Sequence, residues 1–443
     1  MSTGNGKREY SVSLPARGTG GFPQGRATTG RFLVLFHEDA LKAGVSSLQT
    51  RAGVRVAAAT DFTQQPAAVA RLEEGAAMVF QDLGVAIVNA PPDQVRAAAT
   101  DVAESGVLAV EPELIRYAIG VEPPDAPASI SASYLRGYRD SITDLVARLA
   151  AGVGNGAAAA EVQARYTSDA TWGLQATGVV RSAATGRGIR VAVLDTGLDE
   201  THPDFADRTI VTASFIDGEL PHDGHGHGTH CIGTACGPMR VQGVPRYGIA
   251  SEAEIYAGKV LSNAGSGADG GIIAGLQWAL TQGCQVVSMS LGSPPNPQGY
   301  SRVYENLARR ALRAGMLIVA AAGNESQREA GYVAPCGSPA NCPSILAVAA
   351  VGPDLALAPF SSDGLEPNEL AGPGVNVVST FPMPQRYRSL SGTSMATPHV
   401  AGISALLAQQ TGARGAALWQ ALVQRARRLA TPGSDVGAGL VQA

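Results

Sequence analysis

Between residues 31 and 119, short apolar runs alternate with stretches whose hydrophobic residues recur every three or four positions. "RFLVLF" (31–36) predicts a strand and 39–52 a helix. "VRVAAAT" (54–60) predicts a second strand, and "MVFQDLGVAIVNA" (78–90) a longer third one. "PPDQVRAAATDVAES" (91–105) opens with Pro and Asp, which suit a helix start, and continues at helical spacing. "VLAVEPELIRYAI" (107–119) predicts a fourth strand. The order βαβ–βαβ predicts a small ferredoxin-like α+β domain over residues 30–119.

The pattern then loosens. Residues 1–29 read as a flexible, polar, Gly-rich tail, and "GVEPPDAPA" (120–128) as a linker. Tyr134, Leu135, Tyr138, Ile142, Leu145 and Leu149 recur at helical spacing, so the 120–167 segment is expected to carry an amphipathic helix. From about residue 168 to the end at 443, nearly all-apolar strands ("IRVAVLD", "IYAGKVL", "CQVVSMSLG", "MLIVAAAGN", "SILAVAAV", "NVVST") alternate with helical stretches. Strands apolar on both faces imply an α/β domain, a parallel sheet covered by helices on each side.

Composition narrows the function. Of 443 residues, 45% are hydrophobic and 16% charged, which suits packed cores and not disorder. A net charge of -4 offers no electrostatic footprint for nucleic acid or an anionic membrane. Gly or Pro breaks the apolar stretches short of the roughly 20 residues a membrane helix needs. The first residues lack the apolar centre of a secretory signal, pointing to a cytoplasmic protein or one exported without a classical signal, with an extracellular site the alternative. Five cysteines leave at least one unpaired within the chain; Cys336 and Cys342 bracket a Gly/Pro loop and are a pair that could bridge in an oxidising compartment.

Three segments carry candidate chemistry. "VAVLDTGLDETHPDF" puts Asp195 at the carboxyl end of a buried strand. "HDGHGHGTHC" holds His222, His225, His227 and His230 of the chain's seven histidines, with His227 at a helix start. "LSGTSMATPHVAGISALL" places Ser394 at the start of a helix apolar nearly all round, where Pro398 is expected in the first turn, which has no hydrogen bond to lose. Acyl transfer by a hydroxyl needs a base, a carboxylate that fixes the base's tautomer, and donors for the oxyanion. Asp195, His227 and Ser394 fill the first roles in the order Asp–His–Ser, and Asn324 in "VAAAGNES" is a candidate donor.

With "VLDTG", "HGTH", "AAAGN" and "GTSMATPHVAG" in that order, the chain resembles the subtilisin-like serine proteases over about residues 168–430. The resemblance implies a serine endopeptidase acting on peptides or proteins without a catalytic cofactor. Asp195 would orient the imidazole, His227 act as base then acid, and Ser394 attack; Asn324 and the Ser394 N–H would form the oxyanion hole. It further implies that Ser290, Leu291 and Gly292 flank the substrate backbone on one side and Gly265, Ser266 and Gly267 on the other. Gly337 would floor the first specificity pocket and Glu325 lie at its rim. Asp204 matches a calcium ligand, although "GPMRVQGVPRYG" departs from the pattern that completes such a site. The N-terminal domain would be the enzyme's own inhibitor, its 115–120 extension entering the cleft like a substrate. The long 120–167 segment replaces the usual short join.

Rival readings are weaker. No H-E-x-x-H accompanies the histidines, so a zinc site is disfavoured; His222 and His225 read as solvated, His230 and His399 as packed structural residues. A lone D-T-G excludes an aspartic protease dyad. "GTSMA" lacks the second glycine of the G-x-S-x-G elbow. Cys231 reads as a small buried apolar residue. Alternatives within the main reading are a partner-restricted processing protease and a silent peptide-binding pseudo-protease.

Overall fold

In β1 (Thr28–Phe36), alternate residues serve different cores: Phe32, Val34 and Phe36 pack in one cluster, Leu33 and Leu35 in another. A period of two on a strand buried on both faces produces this division. The computed structural model describes residues 27–62, 66–100, 102–119, 169–241, 244–297 and 299–443. The expected linker and amphipathic helix, at 120–167, lie outside the described residues, as does nearly all of the expected 1–29 tail. Thr28 and Thr29 do not belong to a tail, because β1 begins there.

The N-terminal unit continues with α1 (Leu41–Thr50), β2 (Arg55–Ala58), β3 (Ala76–Phe80), β4 (Val85–Asn89), α2 (Pro92–Ala98) and β5 (Val107–Ala118). The expected long strand at 78–90 is a hairpin instead. Its two arms pair antiparallel, and Gly84 supplies the left-handed turn conformation at φ 64°. The sheet order is β5-β1-β4-β3-β2, antiparallel except for the β2–β3 pair. One face of this sheet packs on α1 and α2; the other contributes Leu33, Leu35, Met78, Phe80, Val85 and Ile87 to a core shared with the C-terminal unit.

The C-terminal unit is built on a seven-stranded parallel sheet. Its strands are β6 (Arg190–Asp195), β7 (Ile210–Ser214), β8 (Glu254–Lys259), β10 (Val286–Met289), β12 (Leu317–Ala321), β13 (Leu346–Val351) and β14 (Leu370–Pro373). They are arranged β14-β13-β12-β10-β6-β8-β7. α3 (His227–Cys236) and α6 (Thr393–Thr411) pack on one face, α4 (Asp269–Thr281) and α5 (Arg302–Arg313) on the other. "NVVST" does not join this sheet; β15 (Val377–Thr380) pairs with β16 (Tyr387–Leu390) as a separate hairpin. Among the described residues, no helix is long and apolar enough to cross a membrane.

Two short strands link the units. β9 (Ser266–Ala268) and β11 (Leu291–Gly292) both pair antiparallel with β5, so the end of the N-terminal unit lies between two segments of the C-terminal one.

Candidate active site

Asp195 ends β6, where the strand's carboxyl end opens towards the helix starts. Its Oδ1 lies 2.8 Å from His227 Nδ1 and also accepts the Thr196 N–H at 2.7 Å. Because a carboxylate only accepts, Nδ1 carries the proton and Nε2 is left as the basic edge. His227 is the first residue of α3, and the loop before it is organised by Asp223. That buried carboxylate accepts the N–H groups of His225, Gly226 and Thr229 and the hydroxyls of Thr196 and Thr229. Burial opposes a charge on His227, but the Asp195 carboxylate outweighs it and holds the imidazole pKa well above the usual histidine value.

Ser394 is the second residue of α6 and is fully buried. Its Oγ donates to the carbonyl oxygen of Ile119 at 2.9 Å, while His227 Nε2 has no hydrogen-bond partner among the described residues. Asn324 stands beside the same helix start. Its Oδ1 accepts from the Thr393 N–H at 2.8 Å and the Thr393 hydroxyl at 2.9 Å, which turns the amide NH2 away from Thr393. A Cβ at Gly392, whose φ is 157°, would sit 2.9 Å from Asn324 Nδ2, so a side chain there would displace that amide.

The profile of the subtilase family matches residues 186–440. The chain belongs to that family. It is 43% identical to the thermostable alkaline protease of Halalkalibacterium halodurans over 260 residues, 58% of this chain and 67% of that protein. It is 41% identical to subtilisin DY of Bacillus licheniformis over 223 residues, covering 50% and 77% of the two chains. Subtilisin Savinase of Lederbergia lenta is 43% identical over 243 residues, 54% of this chain and 84% of the relative. The protein is therefore a serine-type endopeptidase that acts on peptides or proteins. Nothing in these relatives supports a cytoplasmic placement.

The rest of the subtilase site departs from expectation in several places. Pro398 lies in the interior of α6, not in its first turn, and its missing N–H strips the Ser394 carbonyl of its helical partner. That carbonyl accepts instead from Ser290 Oγ at 2.8 Å and Cys231 Sγ at 3.5 Å. Cys231 is thus a thiol donor at the site, and burial raises its pKa so that it stays protonated. Cys336 and Cys342 do not bridge; all five cysteines are free and buried. Burial pushes the thiols of Cys236 and Cys284 up to about 12, which keeps them neutral.

The other histidines divide largely as expected. His222 is exposed, and His225 is partly buried. His230 Nε2 faces the carbonyls of Val377 and Arg388 at 3.0 and 3.1 Å, and burial lowers its pKa to about 3. His399 Nδ1 faces Met395 O at 2.8 Å, its pKa lowered by burial to about 4. Neither buried ring carries charge at neutral pH.

Asp204 is held by two tyrosines. Its oxygens accept from the hydroxyls of Tyr247 and Tyr387, and it joins no group of three or more metal-capable side chains among the described residues. The one such group is Asp195, His227 and Cys231. Its imidazole is already committed to the carboxylate and its thiol protonated, a donor set that does not suit a resident metal.

The strands flanking the cleft hold a peptide, and that peptide is the chain's own. Ile115, Arg116 and Tyr117 pair with Ala268, Gly267 and Ser266, and Tyr117 and Ala118 with Gly292 and Leu291. Further bonds run from Ala118 N–H to Gly265 O at 2.9 Å and from Ile119 N–H to Ser290 O at 3.2 Å. Gly292 faces Ile119; a Cβ there would lie 3.2 Å from Ile119 Cδ1. Gly337 lies between Ala322, whose carbonyl accepts its N–H at 2.7 Å, and Ser293. Glu325 accepts the Ser362 hydroxyl at 3.1 Å, and burial raises its carboxyl pKa.

Sequence reasoning missed Asp223, and also Asp269, the first residue of α4, whose carboxylate accepts from the Arg116 guanidinium of the N-terminal unit. A signal for Asp223 was present, an Asp followed by glycines just before a helix start, a composition suited to capping loose N–H groups. Asp269 carried no such signal, because its partner comes from the other unit.

Proposed function

We propose that this subtilase is made as a precursor blocked by its own N-terminal unit, and that Asp195, His227 and Ser394 first cut the chain between Ile119 and Gly120. The observation that carries the reading is the Ser394 hydroxyl bonded to the carbonyl of Ile119, with the strand before it paired on both sides. Ser394 Oγ attacks the Ile119 carbonyl carbon while His227 Nε2 takes the hydroxyl proton; Asp195 steadies the imidazolium. The Asn324 amide and the Ser394 N–H donate to the oxyanion. As the C–N bond breaks, His227 returns the proton to the amine of Gly120, and water then releases the acyl group by the reverse steps. The N-terminal unit, read as a ferredoxin-like inhibitory domain with one added edge strand, keeps the cleft filled after the cut.

Two carboxylates support the inhibitory role by capping helices of the C-terminal unit. Glu111 accepts the Arg302 and Val303 N–H groups at the start of α5, at 2.7 and 3.3 Å. Glu113 accepts the Gly270 N–H at the start of α4, at 2.8 Å, and pairs with Arg31. Orphan amides and the helix dipole make such ends natural anchors for a carboxylate.

Intact-mass measurement tests the proposal. Wild-type protein should resolve into one fragment ending at Ile119 and another beginning at Gly120, while Ser394→Ala stays whole. A first cut at any other bond would overturn the assignment.

A further inference from the structure

We propose that this enzyme selects arginine at the fourth residue before the bond it cuts, and that Asp269 is the residue that imposes the choice. The inference rests on the reading that Ile119 occupies the acyl position. Counting back along the paired strand gives Ala118, Tyr117 and then Arg116. Arg116 is among the largest fully buried side chains of the molecule. Its Nε donates to Asp269 Oδ1 at 2.6 Å and its Nη2 to Oδ2 at 3.4 Å. Nη1 donates to Ser293 Oγ at 2.7 Å and to the Ser338 carbonyl at 3.1 Å. The guanidinium carbon lies 5.3 Å from the centroid of the Tyr304 ring.

Every one of those partners belongs to the C-terminal unit, whereas Arg116 belongs to the N-terminal unit. The pocket is therefore part of the enzyme, and its contents are replaceable by a substrate. It has the features a guanidinium requires: a carboxylate on the fork, neutral oxygens for the remaining donors and an aromatic face. Asp269 is also the first residue of α4, where any acidic side chain would be favourable. Its oxygens are nonetheless turned into the pocket, where the Tyr304 hydroxyl donates to Oδ1 at 2.8 Å and the Leu114 N–H to Oδ2 at 2.9 Å. Both of these donors are neutral. With the N-terminal unit gone, Asp269 would face an empty recess holding a charge and no cation. A substrate with an apolar residue in that place would desolvate the carboxylate without pairing it, so discrimination comes from rejecting the wrong residue as much as from binding the right one.

The test uses the full chain, after its own processing, on three internally quenched peptides. They carry Arg-Tyr-Ala-Ile-Gly-Val, the same sequence with Ala for Arg, and the same with Glu for Arg; mass spectrometry verifies cutting between Ile and Gly. The wild-type ratio of kcat/KM for the Arg peptide over the Ala peptide should be about 30-fold or more, the effect of truncating one partner of a buried charge pair. In Asp269→Asn the ratio should fall towards one, and in Asp269→Lys the Glu peptide should become preferred over the Arg peptide. Ratios within one preparation are insensitive to how much of a variant folds. Equal cutting of the Arg and Ala peptides by wild type would overturn the proposal and leave Arg116–Asp269 as a latch between the units. No cutting of any peptide, with no labelling of Ser394 by a serine-directed acylating probe, would instead overturn the catalytic reading and this inference with it.

Discussion

In the proposed mechanism, Asn324 and His227 each do one job that a single substitution isolates. Replacing Asn324 by Ala removes the side-chain oxyanion donor and should lower kcat by about 10²–10³-fold, the size of loss that subtilisin itself sets for this donor, with KM nearly unchanged. A comparable fall in KM-type binding in place of kcat would contradict the role. His227 must be neutral to accept the serine proton. Its raised pKa means it holds a proton to higher pH than an ordinary histidine, so the rate should be lost as pH falls through that pKa and restored above it. The midpoint of a kcat/KM profile should therefore lie above 6.5, the ordinary histidine value. A midpoint well below it would mean that burial outweighs Asp195. The motif residues themselves were legible, because each contiguous signature carries its own turn or helix start.

At the level of elements, the sequence identified α6 but misplaced its proline. An interior Pro398 is tolerated because side chains from β10's far end and from α3, Ser290 and Cys231, take over the carbonyl it leaves free. That compensation couples the helix that opens with Thr393 and Ser394 to the segment between β10 and β11. Ser290→Ala, made in a Ser394→Ala background to prevent self-digestion, should cost about 1–3 kcal/mol in urea unfolding by leaving a buried acceptor short of a partner. No measurable change would show that Cys231 alone satisfies that oxygen. The 78–90 hairpin was misread for a related reason: apolar runs on both sides of a turn look like one strand when both faces are buried, and only pairing reveals the break at Gly84.

Across the whole molecule, the N-terminal unit is held by a strand in the cleft, two carboxylates on helix starts and a shared apolar core. Each charged hydrogen bond to a helix end contributes roughly 1.5–3 kcal/mol. If the N-terminal unit inhibits as proposed, Glu111→Ala and Glu113→Ala should each weaken inhibition of the processed enzyme by the released N-terminal fragment, by about tenfold or more, with the double variant weaker still. Unchanged inhibition constants would place the hold in the apolar contact alone. The sequence by itself determined the chemistry, since hydrophobic period, turn residues and four ordered motifs are local features that survive being read one segment at a time. The pairing of Arg116 with Asp269, 153 residues away, was decided only by the tertiary structure, as were the free thiols, the tyrosine partners of Asp204 and the residue presented to Ser394. Those depend on which distant surfaces meet, and a buried charge or donor reveals its purpose only once its partner stands within hydrogen-bond reach.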